Sequence, residues 1–249
     1  AHVIAKHNIK EIVLTGVNIG DFNQNNESLI DLFIQLEKID LIKRIRLSSI
    51  EPNLLTNEII DYISKSKKIL PHFHLPLQSG CDITLRKMKR RYLTKLYYDR
   101  VMLIKDKMPN ACIGVDVIVG FPSESEKNFL DSYSFIKSLP VGYLHVFSYS
   151  ERKDTEAANI FPKVSVVEIK NRSKKLRELS LMKKKEFIIN NLNKESQVLF
   201  ESFDGDYLTG LTENYIKIKI HSKNNYTNSI KKVKINHSNG DYASGLFVV

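Results

Sequence analysis

From residue 10 to 150, short apolar runs alternate with stretches whose apolar residues recur at helical spacing. This alternation restricts the fold more than any single motif. KEIVLTG (10–16), RIRLSSI (44–50), HFHLPLQ (72–78), ACIGVDVIVGFP (111–122) and GYLHVFSYS (142–150) read as five strands. ESLIDLFIQLEKI (27–39), NEIIDYISKS behind a capping Thr56, and TKLYYDRVMLIKDKM (94–108) read as helices. Ser123 with Glu126 predicts a capping box for one more, running through Lys137. Strands that alternate with helices become parallel strands joined by crossovers, so residues 1–162 form an α/β unit. Five strands cannot close an eight-stranded barrel; they suit an open partial barrel or a doubly wound sheet.

Beyond residue 163 the pattern changes. Residues 163–195 read as one long basic connecting helix, VSVVEIKNRSKKLRELSLMKKKEFIINNL. Residues 196–249 then hold five short alternating runs, punctuated by turn pairs such as Asp204-Gly205 and Asn239-Gly240. That spacing predicts a small antiparallel β-barrel, an architecture that commonly binds oligonucleotides.

Net charge is +10. Six of those charges lie in residues 163–195, which makes the helix either a solvated face or a phosphate-facing surface. No run approaches the roughly 18 apolar residues of a membrane span, and no signal peptide opens the chain. The two cysteines, Cys81 and Cys112, form no disulfide framework, so a cytoplasmic protein is expected. There is no Gly-x-Ser-x-Gly elbow and no phosphate loop, which argues against hydrolase and P-loop chemistry.

Gly16, Gly20, Gly80 and Gly120 each follow the carboxyl end of a strand. In parallel α/β folds that rim carries ligands, and glycine lets backbone amides come close; strand-to-helix turns use glycine anyway. In HFHLPLQSGCD, His72 and His74 share one strand face, and Cys81 follows within reach of a turn. No fourth ligand is apparent, so zinc is disfavoured against a buried strand with hydrogen-bonded histidines.

Several strand ends taken together resemble the radical-SAM methylthiotransferases. The segments are LTGVNIGDF (14–22), RIRLSSIEPNLL (44–55), HLPLQSGCDITLRKMKRRY (74–92), IGVDVIVGFPSESEKNF (113–129) and HVFSYSERKDTEA (145–157). GVNIGDF and SSIEPNLL most resemble the branch acting on threonylcarbamoyl-adenosine beside the tRNA anticodon. The isopentenyladenosine branch and the branch modifying a ribosomal aspartate are less similar. From about Ser196 the chain resembles the TRAM domain, the small barrel with which these enzymes contact RNA.

The resemblance implies an incomplete parallel (β/α)6-type partial barrel followed by TRAM. It implies S-adenosylmethionine as cofactor and two 4Fe–4S clusters in the complete enzyme, giving radical chemistry at C2 of the adenine. Cluster ligands are thiolates at fixed spacing. The family's Cys-x3-Cys-x2-Cys loop is not in this sequence, and Cys81 and Cys112 cannot replace it. The expectation is a C-terminal part of a longer enzyme, inert by itself; an inactive RNA-binding remnant is the alternative.

Position by position, the resemblance sets Thr15, Gly16 and Asn18 at the strand end that grips the methionyl amino group. Gln78 and Ser79 would reach the barrel mouth, and Arg90 or Arg91 would pair with the methionyl carboxylate. Asp116 to Gly120 would flank the adenosine, and Phe147 to Tyr149 would contact the adenine. Ser49 and Glu51 would face the substrate base. Lys174, Lys175, Lys183, Lys184 and Lys185, with Tyr215, Lys217 and Lys219, would contact the tRNA anticodon loop.

Overall fold

The computed structural model describes residues 1–24 and 26–248. In chain order, α1 (His2–Ala5) leads to β1 (Glu11–Leu14), a small hairpin of β2 (Asn23–Gln24) and β3 (Glu27–Ser28), and α2 (Leu29–Glu37). β4 (Arg44–Leu47), α3 (Asn57–Lys65), β5 (His72–His74), α4 (Asp82–Lys87) and α5 (Thr94–Lys107) follow. Then come β6 (Cys112–Val119), α6 (Glu126–Ser138), β7 (Tyr143–Ser148) and α7 (Val166–Ile189). The C-terminal barrel comprises β8 (Glu195–Phe203), β9 (Tyr207–Thr212), β10 (Lys217–His221), β11 (Ile230–Ser238) and β12 (Ala243–Phe247).

β1, β4, β5, β6 and β7 are parallel and lie side by side in chain order. β1 pairs with β4, β5 with β6, and β6 with β7. Bridges Ile45–Ile69 and Ser49–His74 join the two groups. A doubly wound sheet would reverse its order at a switch point. This one never does, so it has the single winding of a partial barrel.

Period-two alternation gives the sheet two unlike faces. Toward the helices point Ile45, Leu47, Phe73, Leu75, Ile113, Val115, Val117 and Leu144, packed with Phe33, Tyr97 and Phe129. Each such fully buried large side chain contributes roughly 1.5–3 kcal/mol. The opposite face carries Glu11, Arg44, Arg46, His72, His74, Asp116, Tyr143 and His145. Gly114 belongs there for steric reasons: a Cβ would sit 2.3 Å from the Tyr143 ring. The room lets Tyr143 Oη reach His72 Nε2 at 2.9 Å.

β5 is shorter than the run 72–78 because Pro76 offers no amide and Gln78 turns to φ +68°. Tyr97 Oη donates to the Leu75 carbonyl at 2.8 Å and Tyr92 Oη to that of Pro76 at 3.0 Å, replacing the lost ladder. Thr56 caps α3 as expected, accepting from the Ile59 amide. The Ser123–Glu126 box does not form. Ser123 adopts φ +63° and gives its amide to the Pro162 carbonyl, so Ser125 caps α6 instead.

The basic helix α7 lies along β7, where Ser180 Oγ accepts from the Leu144 amide at 2.8 Å and donates to its carbonyl at 3.0 Å. The C-terminal strands close in the order β10-β12-β11-β8-β9. Four pairings are antiparallel as predicted, but β10 and β12 run parallel through Ile218 and Ala243. A ring with an odd number of strands cannot alternate direction at every seam, so one parallel pair is required.

Two arginines fasten this barrel to the parallel sheet. Arg44 donates to the carbonyls of Gln197, Leu211 and Thr212 at 3.3, 3.2 and 3.0 Å, and Arg46 to that of Thr212 at 3.4 Å. Both pair with Glu11, at 2.7 and 2.8 Å. Tyr215 stacks on His72 with ring centroids 4.2 Å apart. Burial, with the Arg46 charge next in weight, pushes the His72 pKa down to about 3, so this imidazole is neutral at ordinary pH.

Candidate functional site

A cavity of about 500 Å³ opens at the carboxyl ends of β6 and β7, lined by Gln78, Arg90, Asp116, Phe147, Tyr149 and Arg152 among others. Gln78 is the pivot. A left-handed glutamine is costly, roughly 1–3 kcal/mol, and two backbone bonds hold it there. Its amide donates to the Asp116 carbonyl at 2.8 Å, and its carbonyl accepts from Ile118 at 2.9 Å.

Arg90 is half-buried, its Nη1 lies 3.4 Å from Glu51 Oε1, and among the described residues its buried Nε has no partner. The Tyr149 hydroxyl is likewise buried and unpaired. Buried polar groups normally find partners, so both retain bonding capacity for a polar group entering the cavity. The Phe147 ring, 52% exposed, offers an apolar face beside them.

Five of the residues predicted for the cofactor thus meet: Gln78, Arg90, Asp116, Phe147 and Tyr149. Others do not. Arg91 is exposed and outside the lining. Thr15, Gly16 and Asn18 lie in the turn that follows β1, also outside the lining. Ser79 is 1% exposed, and its hydroxyl accepts from the Cys81 amide inside the turn. Gly120 does not free space for a ligand, because a Cβ there would meet Ile169 of α7 at 2.3 Å. Gly20 and Gly80 are equally filled by Leu54 and by the Ser132 carbonyl. Ser49 is bridged to His74, and Glu51 neighbours Arg90.

One arrangement escaped the sequence reading. Glu124 Oε2 accepts from the Gly120 amide and from Arg172 Nη1, each at 2.8 Å, and both side chains are buried. The pair ties the loop after β6 to α7. Its partners lie 48 residues apart, so no local pattern announces it.

The predicted RNA contacts divide. Lys174, Lys175, Lys185 and Lys217 are exposed. Lys184 pairs with Asp241 at 3.1 Å, and Lys219 Nζ lies 4.4 Å from the Tyr207 ring centroid. Lys183 must be corrected: it is buried, and its ammonium caps α6 through the carbonyls of Lys137 and Leu139 at 2.7 and 2.5 Å. Tyr215 is held at the seam between the two units, under Arg46 and against His72.

Metal fits differ. His72 and Cys81 are buried apart from one another, His72 bonded to Tyr143 and Cys81 at the start of α4. What comes together instead is His74, Asp116 and His145, with side-chain N and O atoms within 4.8 Å of one another. Cys112 is fully buried, which pushes its thiol up to about 12. With Cys81 elsewhere, the residues present do not fit an iron–sulfur cluster. Among the described residues, no helix is long and apolar enough to cross a membrane.

Residues 1–136 match the model of the radical SAM superfamily. The chain is 34% identical over 247 residues to the threonylcarbamoyladenosine tRNA methylthiotransferase of Bacillus subtilis, covering 96% of this chain and 55% of the relative. It is 40% identical to that of Aquifex aeolicus, covering 87% and 52%. Against the tRNA-2-methylthio-N(6)-dimethylallyladenosine synthase of Endomicrobium trichonymphae it is 29% identical, covering 96% and 58%. It spans about half the length of these curated relatives. In fold it is similar to coproporphyrinogen III oxidase from Escherichia coli, a radical SAM enzyme, with TM-score 0.50 over 73% of this chain and 40% of that one at 13% identity. The chain belongs to the radical SAM superfamily, and along nearly its whole length it is similar to tRNA methylthiotransferases.

Proposed function

We propose that this chain is the C-terminal part of a tRNA methylthiotransferase that modifies C2 of the threonylcarbamoyl-adenosine next to the anticodon. The cavity at Gln78 and Arg90 holds S-adenosylmethionine, and an upstream part of the same protein supplies the iron–sulfur ligands. The observation that carries the reading is the pair of unpaired buried groups, Arg90 Nε and Tyr149 Oη, in a cavity that also presents Gln78 and Phe147. Over 87–96% of the chain, two relatives bearing the threonylcarbamoyl name are 34% and 40% identical and two bearing the dimethylallyl name 29% and 30%, others of the latter rising to 36% only over about 70%; this supports the threonylcarbamoyl substrate.

S-adenosylmethionine bound there would supply the radical that abstracts hydrogen, given a reduced cluster held by the upstream part; a second S-adenosylmethionine would supply the methyl group and a second upstream cluster the sulfur. The chain's own residues do the rest. Arg90 binds the methionyl carboxylate through a charge-assisted bond, and Glu51 holds the guanidinium in place. Gln78 hydrogen-bonds the ribose without adding charge, and the Phe147 ring covers the adenine and excludes water. Exposed Lys174, Lys175, Lys185 and Lys217 offer phosphate contacts to the anticodon stem-loop. Lys219 over Tyr207 adds a cation beside a ring on which a base can stack.

Arg90→Ala in the complete, anaerobically reconstituted protein tests the cavity. Losing a hydrogen bond to a charged group costs roughly 1.5–3 kcal/mol, so calorimetry should show affinity for S-adenosylmethionine weakened about tenfold or more. The urea midpoint should hardly move, because the guanidinium shares only a long contact with Glu51. Unchanged affinity would remove the cofactor from this cavity.

A further inference from the structure

A second cavity, of about 440 Å³, opens where β7 and α7 meet the C-terminal barrel. It shares no lining residue with the cavity at Gln78 and Arg90. β7 contributes Tyr143 and His145 to its walls, α7 contributes Leu181 and Lys184, and the barrel contributes Tyr215 and Lys217. Rings and aliphatic chains stand open to solvent here. His145 and Lys217 are exposed, Leu181 keeps 61% of its surface and Tyr215 40%. The rings lie close together, with centroids 5.1 Å apart for Tyr143 and His145 and 6.1 Å for Tyr143 and Tyr215. They are held from behind, because His72 bonds Tyr143 and stacks on Tyr215. At the rim, Lys184 reaches from α7 to Asp241 of the barrel at 3.1 Å, the two side chains keeping 38% and 78% of their surface. An ion pair so exposed contributes little to stability, so another anion can displace the carboxylate. Period-two alternation puts Tyr143, His145 and Phe147 on one face of β7. The first two line this cavity and Phe147 lines the other. Same-face neighbours of a strand are about 6.6 Å apart, so the two cavities adjoin.

Resting on the function proposed above, we infer that this second cavity receives the base of a nucleotide flanking the target adenosine. Unpaired RNA is held by stacking its splayed bases on aromatic side chains while basic groups follow its backbone. The cavity offers both within one structure. His145, Tyr215 and Leu181 give surface to the base, and Lys217 and Lys184 give charge to its phosphate. Asp241 holds Lys184 until that phosphate takes its place. A flanking base seated here is drawn off the target adenine, which leaves the adenine unstacked at the mouth of the cavity beside Phe147. Because every base has a π-face, the site accepts all four and acts on the shape of the loop rather than on its sequence.

The test is binding of an anticodon stem-loop to the complete protein, read by fluorescence anisotropy, with an abasic residue placed in turn on each side of the target. At one of the two positions the abasic residue should weaken wild-type binding about tenfold, as loss of one stacked base does. His145→Ala should bind the intact stem-loop about fivefold more weakly and narrow that abasic penalty to about twofold, with affinity for S-adenosylmethionine unchanged. Asp241→Asn should tighten binding about twofold, since it removes the competitor for Lys184; losing a purely structural contact gives no such gain. The absence of an abasic penalty at either position would overturn the assignment, as would a full penalty that persists in His145→Ala. Unchanged or weaker binding by Asp241→Asn would overturn the exchange at Lys184. If the abasic penalty appears but the RNA gains no methylthio group, the nucleotide site stands and the methylthiotransferase reading fails. If the RNA is methylthiolated without any abasic penalty, that reading stands and the nucleotide site fails.

Discussion

Arg172→Met is expected to cost about 3–5 kcal/mol of folding stability at neutral pH, because it strands a buried carboxylate. Glu124 is already pushed upward by burial, with Arg172 and the Gly120 amide opposing that shift. Without the guanidinium, its folded pKa rises further above the unfolded value. A group raised on folding gives stability that is full below the unfolded pKa and lost as pH rises through the folded one. The gap between variant and wild type should therefore narrow as pH falls from 7 toward 5 in urea melts. Glu124→Gln combined with Arg172→Met should recover much of the loss. A gap independent of pH would mean that the cost comes from lost packing on Phe129, over whose ring Arg172 lies at 5.3 Å.

The second large effect concerns the seam. Arg44→Ala removes the donor for three carbonyls of the C-terminal barrel and one of the two partners of Glu11. Breaking such a buried charged network costs about 3–5 kcal/mol. The loss falls between two hydrophobic clusters, one under the parallel sheet and one inside the small barrel. Calorimetry should accordingly show one unfolding transition for the wild type and two for Arg44→Ala, the barrel melting first. One transition at an unchanged midpoint would show that the arginines do not couple the units.

Much of this architecture is legible in the residues. Five parallel strands and the five-stranded barrel follow from periodicity and turn chemistry, which are local properties of the chain. The cavity at the ends of β6 and β7 is half legible: Gln78, Arg90, Asp116, Phe147 and Tyr149 sit near the ends of different strands, where parallel folds gather ligands. What fails is whatever depends on a distant partner. Lys183 reads as one of three consecutive cations, yet its rotation about α7 aims it at the end of α6. Tyr215 keeps 40% of its surface, and what its own segment does not announce is the stack of its ring on His72 at 4.2 Å. Gly120 reads as a ligand glycine, yet Ile169 fills the space. His72 and His74 read as sharing one strand face, but the approach of His74, Asp116 and His145 to within 4.8 Å needs the pairing of three strands.

The most direct measurement is nucleoside analysis by mass spectrometry of threonylcarbamoyl-modified tRNA incubated with the complete reconstituted protein, S-adenosylmethionine and a reductant. A methylthio group at C2 of threonylcarbamoyl-adenosine, dependent on Gln78 and Arg90, is the expected result. Unchanged threonylcarbamoyl-adenosine, or methylthiolation confined to isopentenyladenosine, would contradict it.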